Sequence, residues 1–202
     1  MELIEVNPLQ HITTVDCIEN IAKYGILSRA TYVGQWREIP SGLGREEILA
    51  RRQNRNLSNG KPLESHALLF FNARNAMLFD VCQSRNDVVV LRVKRTVLSK
   101  EGVRITNVNA ASGDKVIDWD VQTGLPLIKS NDVYRKYWNG NEQHKKLLHA
   151  EVLVPDAIEP EDISAIHVDR PELRRKLLGP EFPWLAKAKW EVVVDPDLFF
   201  KN

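Results

Sequence analysis

Residues 147–155 of the chain read LLHAEVLVP, an apolar run in which the only acidic side chain is Glu151. β-Branched side chains suit a sheet and proline ends a strand, so the run predicts a strand over residues 149–154. An unpaired carboxylate buried there would cost several kcal/mol or acquire a raised pKa. Glu151 is therefore expected to face a cleft or a cationic partner, unless the ordinary alternation of a strand turns it to solvent.

The segments around this strand predict a domain in which strands and helices are mixed. Short runs rich in β-branched or aromatic residues predict strands over 66–71, 88–93, 103–107, 163–168 and 190–194. Periodicity and composition predict helices over 14–24, 45–56, 131–137 and 171–178, and a loop over 34–44. Thr13 and Asp16 resemble a capping box for the first helix, which Gly25 would close. Strand and helix do not alternate steadily, which favours an α+β fold over a Rossmann-like one.

Length and composition indicate one ordinary globular domain over residues 1–202. Hydrophobic residues make up 43% and charged residues 27% of the chain, which is typical of such domains. No apolar run approaches the roughly 20 residues that span a bilayer, and the first residues lack a leader pattern, so no membrane and a cytoplasmic location are expected. The two cysteines, Cys17 and Cys82, form no motif for a disulfide or a metal, so no metal site is expected.

Basic residues are clustered although the net charge is only +1. The first cluster contains Arg45, Arg51, Arg52 and Arg55; the other two contain Arg92, Lys94 and Arg95, and Arg170, Arg174, Arg175 and Lys176. Arg51 and Arg52 can hold a pyrophosphate through bidentate hydrogen bonds, or the whole helix face can follow a nucleic-acid backbone. A solvated helix face is the plain alternative for each cluster.

His11 precedes the first predicted helix. Its imidazole can donate to a ribose hydroxyl, while the helix N-terminus favours an anionic phosphate. The alternative is a structural histidine, with Thr13 acting only as a cap.

The order of several short motifs carries a family resemblance. QHIT (10–13) is followed by a helix and GILS (25–28), then by RRQNR (51–55), LLFFNARNAMLFDV (68–81) and HAEVLVP (149–155). In this order the motifs resemble those of the DarT-type DNA ADP-ribosyltransferases, from about residue 6 to residue 166.

The resemblance implies a fold and an activity. The expected fold is the ADP-ribosyltransferase type, a split β-sandwich with flanking helices. The expected activity is cleavage of NAD and transfer of ADP-ribose onto thymine or guanine of single-stranded DNA, without a metal. The resemblance also implies that the protein is a toxin, paired with a macrodomain antitoxin that removes the ADP-ribose.

Carried over by position, the resemblance implies roles for individual residues. Glu151 and Arg51 are expected to be catalytic. The residues expected to bind NAD are His11, Thr13, Asn20, Leu27, Arg51 and Met77. The residues expected to bind DNA are Arg52, Arg55, Asn72, Arg74 and Arg92. The register of the functional arginine among Arg51, Arg52 and Arg55 stays open, as does the acceptor base.

Glu151 is expected to perform the central step of the reaction. Cleaving the glycosidic bond of NAD develops positive charge on the ribose, and one carboxylate can stabilise that charge and activate a base nitrogen. Bases of a single strand can stack on Tyr32, Trp36 or Trp138, each of which can instead be a core residue. Two other hypotheses are an RNA-directed enzyme like the RNA 2′-phosphotransferases and a catalytically silent nucleic-acid-binding module.

Overall fold

An eight-stranded mixed sheet is the largest element of the protein. The computed structural model describes residues 1–36, 43, 46–113 and 115–200. In spatial order the strands are β10 (Glu191–Val194), β9 (Ile163–Val168), β4 (Val88–Val93), β1 (Leu9–Thr14), β3 (His66–Phe70), β7 (Glu151–Pro155), β5 (Arg104–Thr106) and β6 (Asp118–Asp120). All neighbouring pairs are antiparallel except β9 and β10, which are parallel. A separate pair is formed by β2 (Ile26–Leu27) and β8 (Ala157–Ile158).

Helices flank the sheet on both faces. Those in the described part of the chain are α1 (Val15–Tyr24), α2 (Arg29–Trp36), α3 (Glu46–Gln53), α4 (Ala76–Ser84), α5 (Val121–Leu127), α6 (Ser130–Val133), α7 (Glu142–Leu147), α8 (Pro171–Leu177) and α9 (Leu185–Ala188). Short 3₁₀ helices occupy Leu3–Glu5, Leu63–Ser65, Arg95–Ser99, Pro160–Asp162 and Pro196–Phe199. No helix among the described residues is long and apolar enough to cross a membrane.

The sheet is weakly joined between β1 and β3. These strands share one residue pair, Gln10 with Phe70, whereas β1 pairs with β4 at six positions and β3 pairs with β7 at five. The sheet is thereby divided into two halves. The expected α+β class with flanking helices is confirmed, and the strands form one large mixed sheet.

Alternating side chains give the sheet two apolar faces. On one face Leu91 and Val152 pack in a cluster with Ile18 of α1. On the other face Phe70 packs in a cluster with Leu78 of α4. Directly opposed residues of paired strands share a face, so Glu151, which is opposite Phe70, lies on the α4 face.

The sequence located most strands but fewer helices. The predicted strands are present, although 103–107 is shortened to β5, and helices α1, α3 and α8 lie within or close to their predicted ranges. The short helix predicted over 131–137 is present as α6, but it begins one residue earlier and ends at Val133. Residues 34–36 of the loop predicted over 34–44 instead form the end of α2, and of residues 37–44 only residue 43 lies within the described part of the chain.

Two elements were missed for identifiable reasons. The QHIT segment is not a lead-in to a helix but part of β1, in which polar side chains outnumber the apolar ones. Thr13 is a buried strand residue opposite Val89, and no side chain caps α1, so the predicted capping box is wrong. Helix α4 begins after Asn75, whose side chain accepts a hydrogen bond from the Leu78 amide, a capping signal that was visible in the sequence.

Candidate active site

The Glu151 carboxylate is completely buried at the start of β7. Its Oε2 accepts a hydrogen bond from the Ala110 amide at 3.2 Å and lies 3.5 Å from Nη1 of Arg52. Its Oε1 is buried with no hydrogen-bond partner among the described residues. The carboxylate is therefore paired on one oxygen and has unused acceptor capacity on the other.

The loop after β5 is shaped to supply the Ala110 amide. Thr106 receives a hydrogen bond from the Glu151 amide at 3.1 Å and donates to the Val108 carbonyl at 2.7 Å. Arg55 donates through Nη1 to the carbonyls of Ala110 and Ser112, at 2.7 and 3.0 Å. The loop is therefore held between the strand that carries Glu151 and the segment just after α3.

Burial sets the acidity of Glu151. Desolvation raises its pKa from the ordinary 4.5 to about 7, against the opposing effects of Arg52 and the Ala110 amide. A carboxyl group with this pKa can take up or release a proton near neutral pH, as general acid–base catalysis requires.

A cavity of about 580 Å³ lies beside this group. Its walls come from α3, α4, the loop over 108–113 and the segment over 142–149, and they include Arg51, Met77, Asn109, Lys145 and His149. Glu151 does not line the cavity. Three lining residues are chain neighbours of Glu151 or its partners, because Arg51 precedes Arg52, Asn109 precedes Ala110, and His149 is two residues before Glu151. The cavity therefore adjoins the segments that hold the carboxylate.

The arginines of the basic helix have different positions. Arg52 faces Glu151, whereas Arg51 lines the cavity and a smaller neighbouring hollow. Successive helical side chains point about 100° apart, which separates the two guanidinium groups. The register of the basic helix was left open, and in the structure Arg52, not Arg51, is the arginine that contacts the glutamate. The contacts of Arg52 and Arg55 are internal and do not match the expected role on a DNA strand.

His11 lies at the junction of the two half-sheets. Its Nδ1 is 2.9 Å from the Leu68 carbonyl, which can only accept a hydrogen bond, so Nδ1 carries the proton. Burial lowers the pKa of His11 below the ordinary 6.5, which favours the neutral ring. Its Nε2 is then an acceptor. The expectation that His11 donates to a ribose hydroxyl is corrected by this tautomer, because Nε2 would accept from such a hydroxyl.

A row of paired residues relates His11 to Glu151. Gln10 is opposite Phe70 on β3, and Phe70 is opposite Glu151 on β7. Adjacent strands lie about 4.8 Å apart, so the Gln10 and Glu151 backbones are separated by about 10 Å. His11 follows Gln10 directly.

The other residues expected to bind NAD are distributed along both sides of this row. Thr13 is buried within β1, and Asn20 is exposed on α1. Leu27 is half-buried in β2, opposite Ala157. Met77 lines the cavity together with Arg51. The structure thus places Arg51 and Met77 in one cavity, and His11, Thr13, Asn20 and Leu27 outside its lining.

Three residues expected to bind DNA line a second cavity of about 730 Å³: Asn72, Arg74 and Arg92. Arg74 is buried, donates through Nε to the Lys136 carbonyl at 3.1 Å, and stacks 4.0 Å from the ring centre of Phe200. Arg92 donates through Nε to Nε2 of His167, whose Nδ1 is 3.0 Å from Asp195. Most of the residues that line this cavity are polar, and they carry charges of both signs.

The aromatic residues considered for base stacking contact other aromatic rings. Tyr32 and Trp36 pack at 4.8 Å between ring centres. Trp138 packs edge-on against Phe79 and Phe200, at 6.0 and 5.8 Å. Of these rings Phe79 is the exposed one.

Sequence reasoning missed His149 and the loop that presents Ala110. His149 stands two residues before Glu151 in the motif that was singled out, which was the available signal. The loop over 107–113 carries no motif, and its role depends on hydrogen bonds to distant residues. No cluster of three or more histidine, cysteine, aspartate or glutamate side chains in the described ranges is placed to hold a metal.

Comparisons with known proteins agree with this architecture. Residues 10–200 match the family described as "DarT: ssDNA thymidine ADP-ribosyltransferase, DarT". A DNA ADP-ribosyl transferase–DNA ADP-ribosyl glycohydrolase fusion protein from Thermosipho africanus is 29% identical over 197 residues, which cover 95% of this chain and 49% of that protein. The chain therefore spans about half the length of this relative.

Solved structures share the fold. Thermosipho africanus DarTG in complex with ADP-ribose superposes with a TM-score of 0.83 and 27% identity, over 96% of this chain and 51% of that chain. Thermus sp. 2.9 DarT in complex with ADP-ribosylated ssDNA has a TM-score of 0.82 and 17% identity, over 97% of each chain. The same Thermus protein in complex with NAD+ has a TM-score of 0.77 and 17% identity, over 97% of this chain and 98% of that chain.

These findings identify the class and then the family. A mixed sheet, divided beside a buried glutamate and flanked by helices, has the fold of DNA ADP-ribosyltransferase structures. Since the family profile covers nearly the whole sequence, the chain belongs to the DarT family. The resemblance recognised from the motifs is confirmed.

Burial of Glu151 predicts a pH-dependent stability. Its raised folded-state pKa means that the unfolded state holds fewer protons between pH 4.5 and about 7, so this group lowers stability as pH rises through that window. Above pH 7 the full loss in the free energy of unfolding is present, about 3 kcal/mol at roughly 1.36 kcal/mol per pKa unit. Glu151→Gln should therefore raise the thermal midpoint relative to wild type more at pH 8 than at pH 5.

Thermal unfolding at the two pH values tests this prediction. Glu101→Gln, at an exposed position, controls for the loss of a surface charge. A Glu151→Gln effect of equal size at pH 5 and pH 8 would contradict the raised pKa.

Proposed function

We propose that the chain transfers ADP-ribose from NAD onto thymine in single-stranded DNA and releases nicotinamide. The observation that carries the proposal is the buried Glu151 carboxylate, held by Arg52 and the Ala110 amide beside a cavity that contains Arg51. The family description, which names thymidine, supports thymine over guanine as the acceptor. The Thermus and Thermosipho complexes with NAD+, ADP-ribose and ADP-ribosylated DNA support the cofactor and the acceptor class.

Arg51 is assigned to the pyrophosphate of NAD. A guanidinium binds phosphate oxygens through charge-assisted hydrogen bonds, and Arg51 presents its side chain to the cavity. His11 would accept a hydrogen bond from a ribose hydroxyl through Nε2. The remaining residues assigned to NAD are Thr13, Asn20, Leu27 and Met77, by their positions in the family motifs.

Glu151 has two roles in the proposed reaction: it stabilises a positive charge and it accepts a proton. Departure of nicotinamide leaves positive charge on the ribose carbon C1′, which a carboxylate stabilises. The only nitrogen of thymidine that bears hydrogen is N3. Transfer of that proton to Glu151 allows N3 to form the new bond to C1′, while the bonding electrons of the old glycosidic bond leave with nicotinamide. A pKa of about 7 suits an acceptor of that proton.

The acceptor strand must present an unpaired base. N3 of thymine is engaged in base pairing within a duplex, and flipping the nucleotide out would cost a few kcal/mol. The polar cavity with Asn72, Arg74 and Arg92 is assigned to flanking nucleotides, which leaves Arg52 and Arg55 as internal residues of the active site. Affinity from a few local cations implies a modest dependence on salt concentration.

The product implies a partner. The Thermosipho relative joins a DNA ADP-ribosyl transferase to a DNA ADP-ribosyl glycohydrolase. We infer that this chain acts as a toxin in the cytoplasm and is opposed by a macrodomain antitoxin that removes the ADP-ribose.

An acceptor panel is the decisive test of the activity. With NAD present, single-stranded oligonucleotides containing thymine should gain the mass of ADP-ribose, whereas the matched duplex, a thymine-free strand and RNA should gain much less. Glu151→Gln should reduce transfer by about 100-fold or more, because the general base is lost. Equal modification of the duplex and its separated strands would argue against the single-strand acceptor, and modification of RNA alone would replace the proposal with an RNA-directed enzyme.

The neighbouring arginines provide a matched pair of variants. Transfer efficiency should rise with pH through a midpoint near 7 as Glu151 ionises. Arg52→Gln removes the charge that lowers this pKa, so its midpoint should move to higher pH. Arg51→Gln should keep the wild-type midpoint and weaken NAD binding by about 10-fold or more, the scale of a hydrogen bond to a charged group.

Profiles of kcat/KM against pH and calorimetric titration with NAD separate these outcomes. A shifted midpoint in the Arg51 variant, with wild-type behaviour in the Arg52 variant, would reverse the two assignments.

A further inference from the structure

His149 is a second titratable side chain in the cavity, and the mechanism above does not use it. The side chain is half-buried and lines the cavity. Its ring packs edge-on against Phe70, at 6.2 Å between ring centres and an interplanar angle of 81°. Phe70 is the residue opposite Glu151 in the sheet. His149 therefore contacts the ring of the residue that is paired with Glu151 in the sheet.

The surroundings of His149 favour a neutral ring. Desolvation, together with the nearby Lys145, lowers its pKa to about 4, against the opposing effect of Asp80. Its Nδ1 is buried and has no hydrogen-bond partner among the described residues. Orphaned buried N–H groups are rarer than under-satisfied buried acceptors, so the ring proton is better placed on Nε2. The part of the ring that remains accessible faces the cavity.

The cavity has two chemically different walls. One wall is formed by α3 and α4 and holds Arg51 and Met77, which the proposed function assigns to NAD. Another wall is formed by the segment over 142–149, which contributes Lys145, Lys146, His149 and Glu142, whose carboxylate is 3.7 Å from Nζ of Lys145. No residue of this second wall is assigned to the cofactor. This wall thus carries two lysines and one carboxylate, and its histidine is left for the acceptor.

We propose that His149 binds the acceptor base by donating from Nε2–H to the ring carbonyl oxygen next to the nitrogen that Glu151 deprotonates. This inference rests on the proposed function. As the N3 proton of thymine moves to Glu151, negative charge spreads onto the adjacent carbonyl oxygens. A hydrogen-bond donor aimed at one of them stabilises the base while N3 forms its bond to C1′.

His149 also contributes to the choice of base. Thymine has a carbonyl oxygen at C4, on one side of N3, where cytosine has an amino group. The nitrogens at the corresponding ring position of cytosine and adenine carry no hydrogen. The amino groups next to these nitrogens are hydrogen-bond donors, so they cannot accept a hydrogen bond from Nε2–H of His149. A neutral histidine that donates from Nε2 therefore favours a base with an N–H beside a carbonyl.

Two substitutions separate the donor from the shape of the side chain. His149→Phe keeps a ring against Phe70 and removes the donor. It should reduce transfer to a thymine-containing single strand by about 100-fold, the scale of losing one donor to a developing oxyanion. His149→Gln retains an N–H near the position of Nε2 and should keep transfer within about tenfold of wild type. Calorimetric NAD affinity should change by less than about threefold in both variants.

The readouts distinguish failure of this inference from failure of the proposed function. Wild-type transfer in His149→Phe, or equal loss in the Phe and Gln variants, would overturn the role as a donor. Loss of NAD affinity together with transfer would overturn the assignment to the acceptor wall. In each of these cases the wild-type protein still transfers ADP-ribose, so the proposed function stands while the role of His149 fails. If the wild-type protein transfers ADP-ribose to no oligonucleotide, the proposed function and this inference both fail.

Discussion

The free-energy cost of a buried carboxylate is the constraint on which the candidate site depends. Glu151 is entirely removed from solvent and therefore needs partners that the strand itself does not provide. Arg52 comes from α3, and the Ala110 amide comes from the loop after β5. Three segments that are distant in the sequence are thus brought together around one side chain. Their incomplete compensation leaves Oε1 without a hydrogen-bond partner among the described residues and the pKa near 7, which is the property that the proposed reaction would use.

The sheet could largely be predicted from the sequence because its strands have clear apolar runs. The run after His149 and the run over Val88–Val93 are long enough, and rich enough in valine and leucine, to indicate buried strands. Strand β1 escaped the same reasoning, because polar residues such as Gln10 and His11 occupy it at the junction of the two half-sheets. The polar character of β1 follows from its place beside the site, where side chains replace part of the hydrogen-bond ladder.

The importance of Glu151 could be predicted from the sequence, but its partners could not. A lone glutamate in an apolar run is visible as an anomaly. Whether Arg51 or Arg52 meets it depends on the rotation of a short helix, which one sequence does not determine. The tautomer of His11 depends on a carbonyl in another strand, and the Ala110 amide depends on a loop held by Arg55. In each case the deciding contact joins residues that are more than 40 positions apart.

Placing Arg51 and Arg52 on adjacent positions of α3 connects two equilibria. Arg51 faces the cavity and Arg52 contributes to the proton affinity of Glu151. A ligand that moves α3 by binding Arg51 also changes the distance between Arg52 and the carboxylate, and so changes how tightly the proton is held. By thermodynamic reciprocity, protonation of Glu151 then alters ligand affinity by the same factor. A ligand that moved the helix in this way would link anion occupancy to proton occupancy at one site.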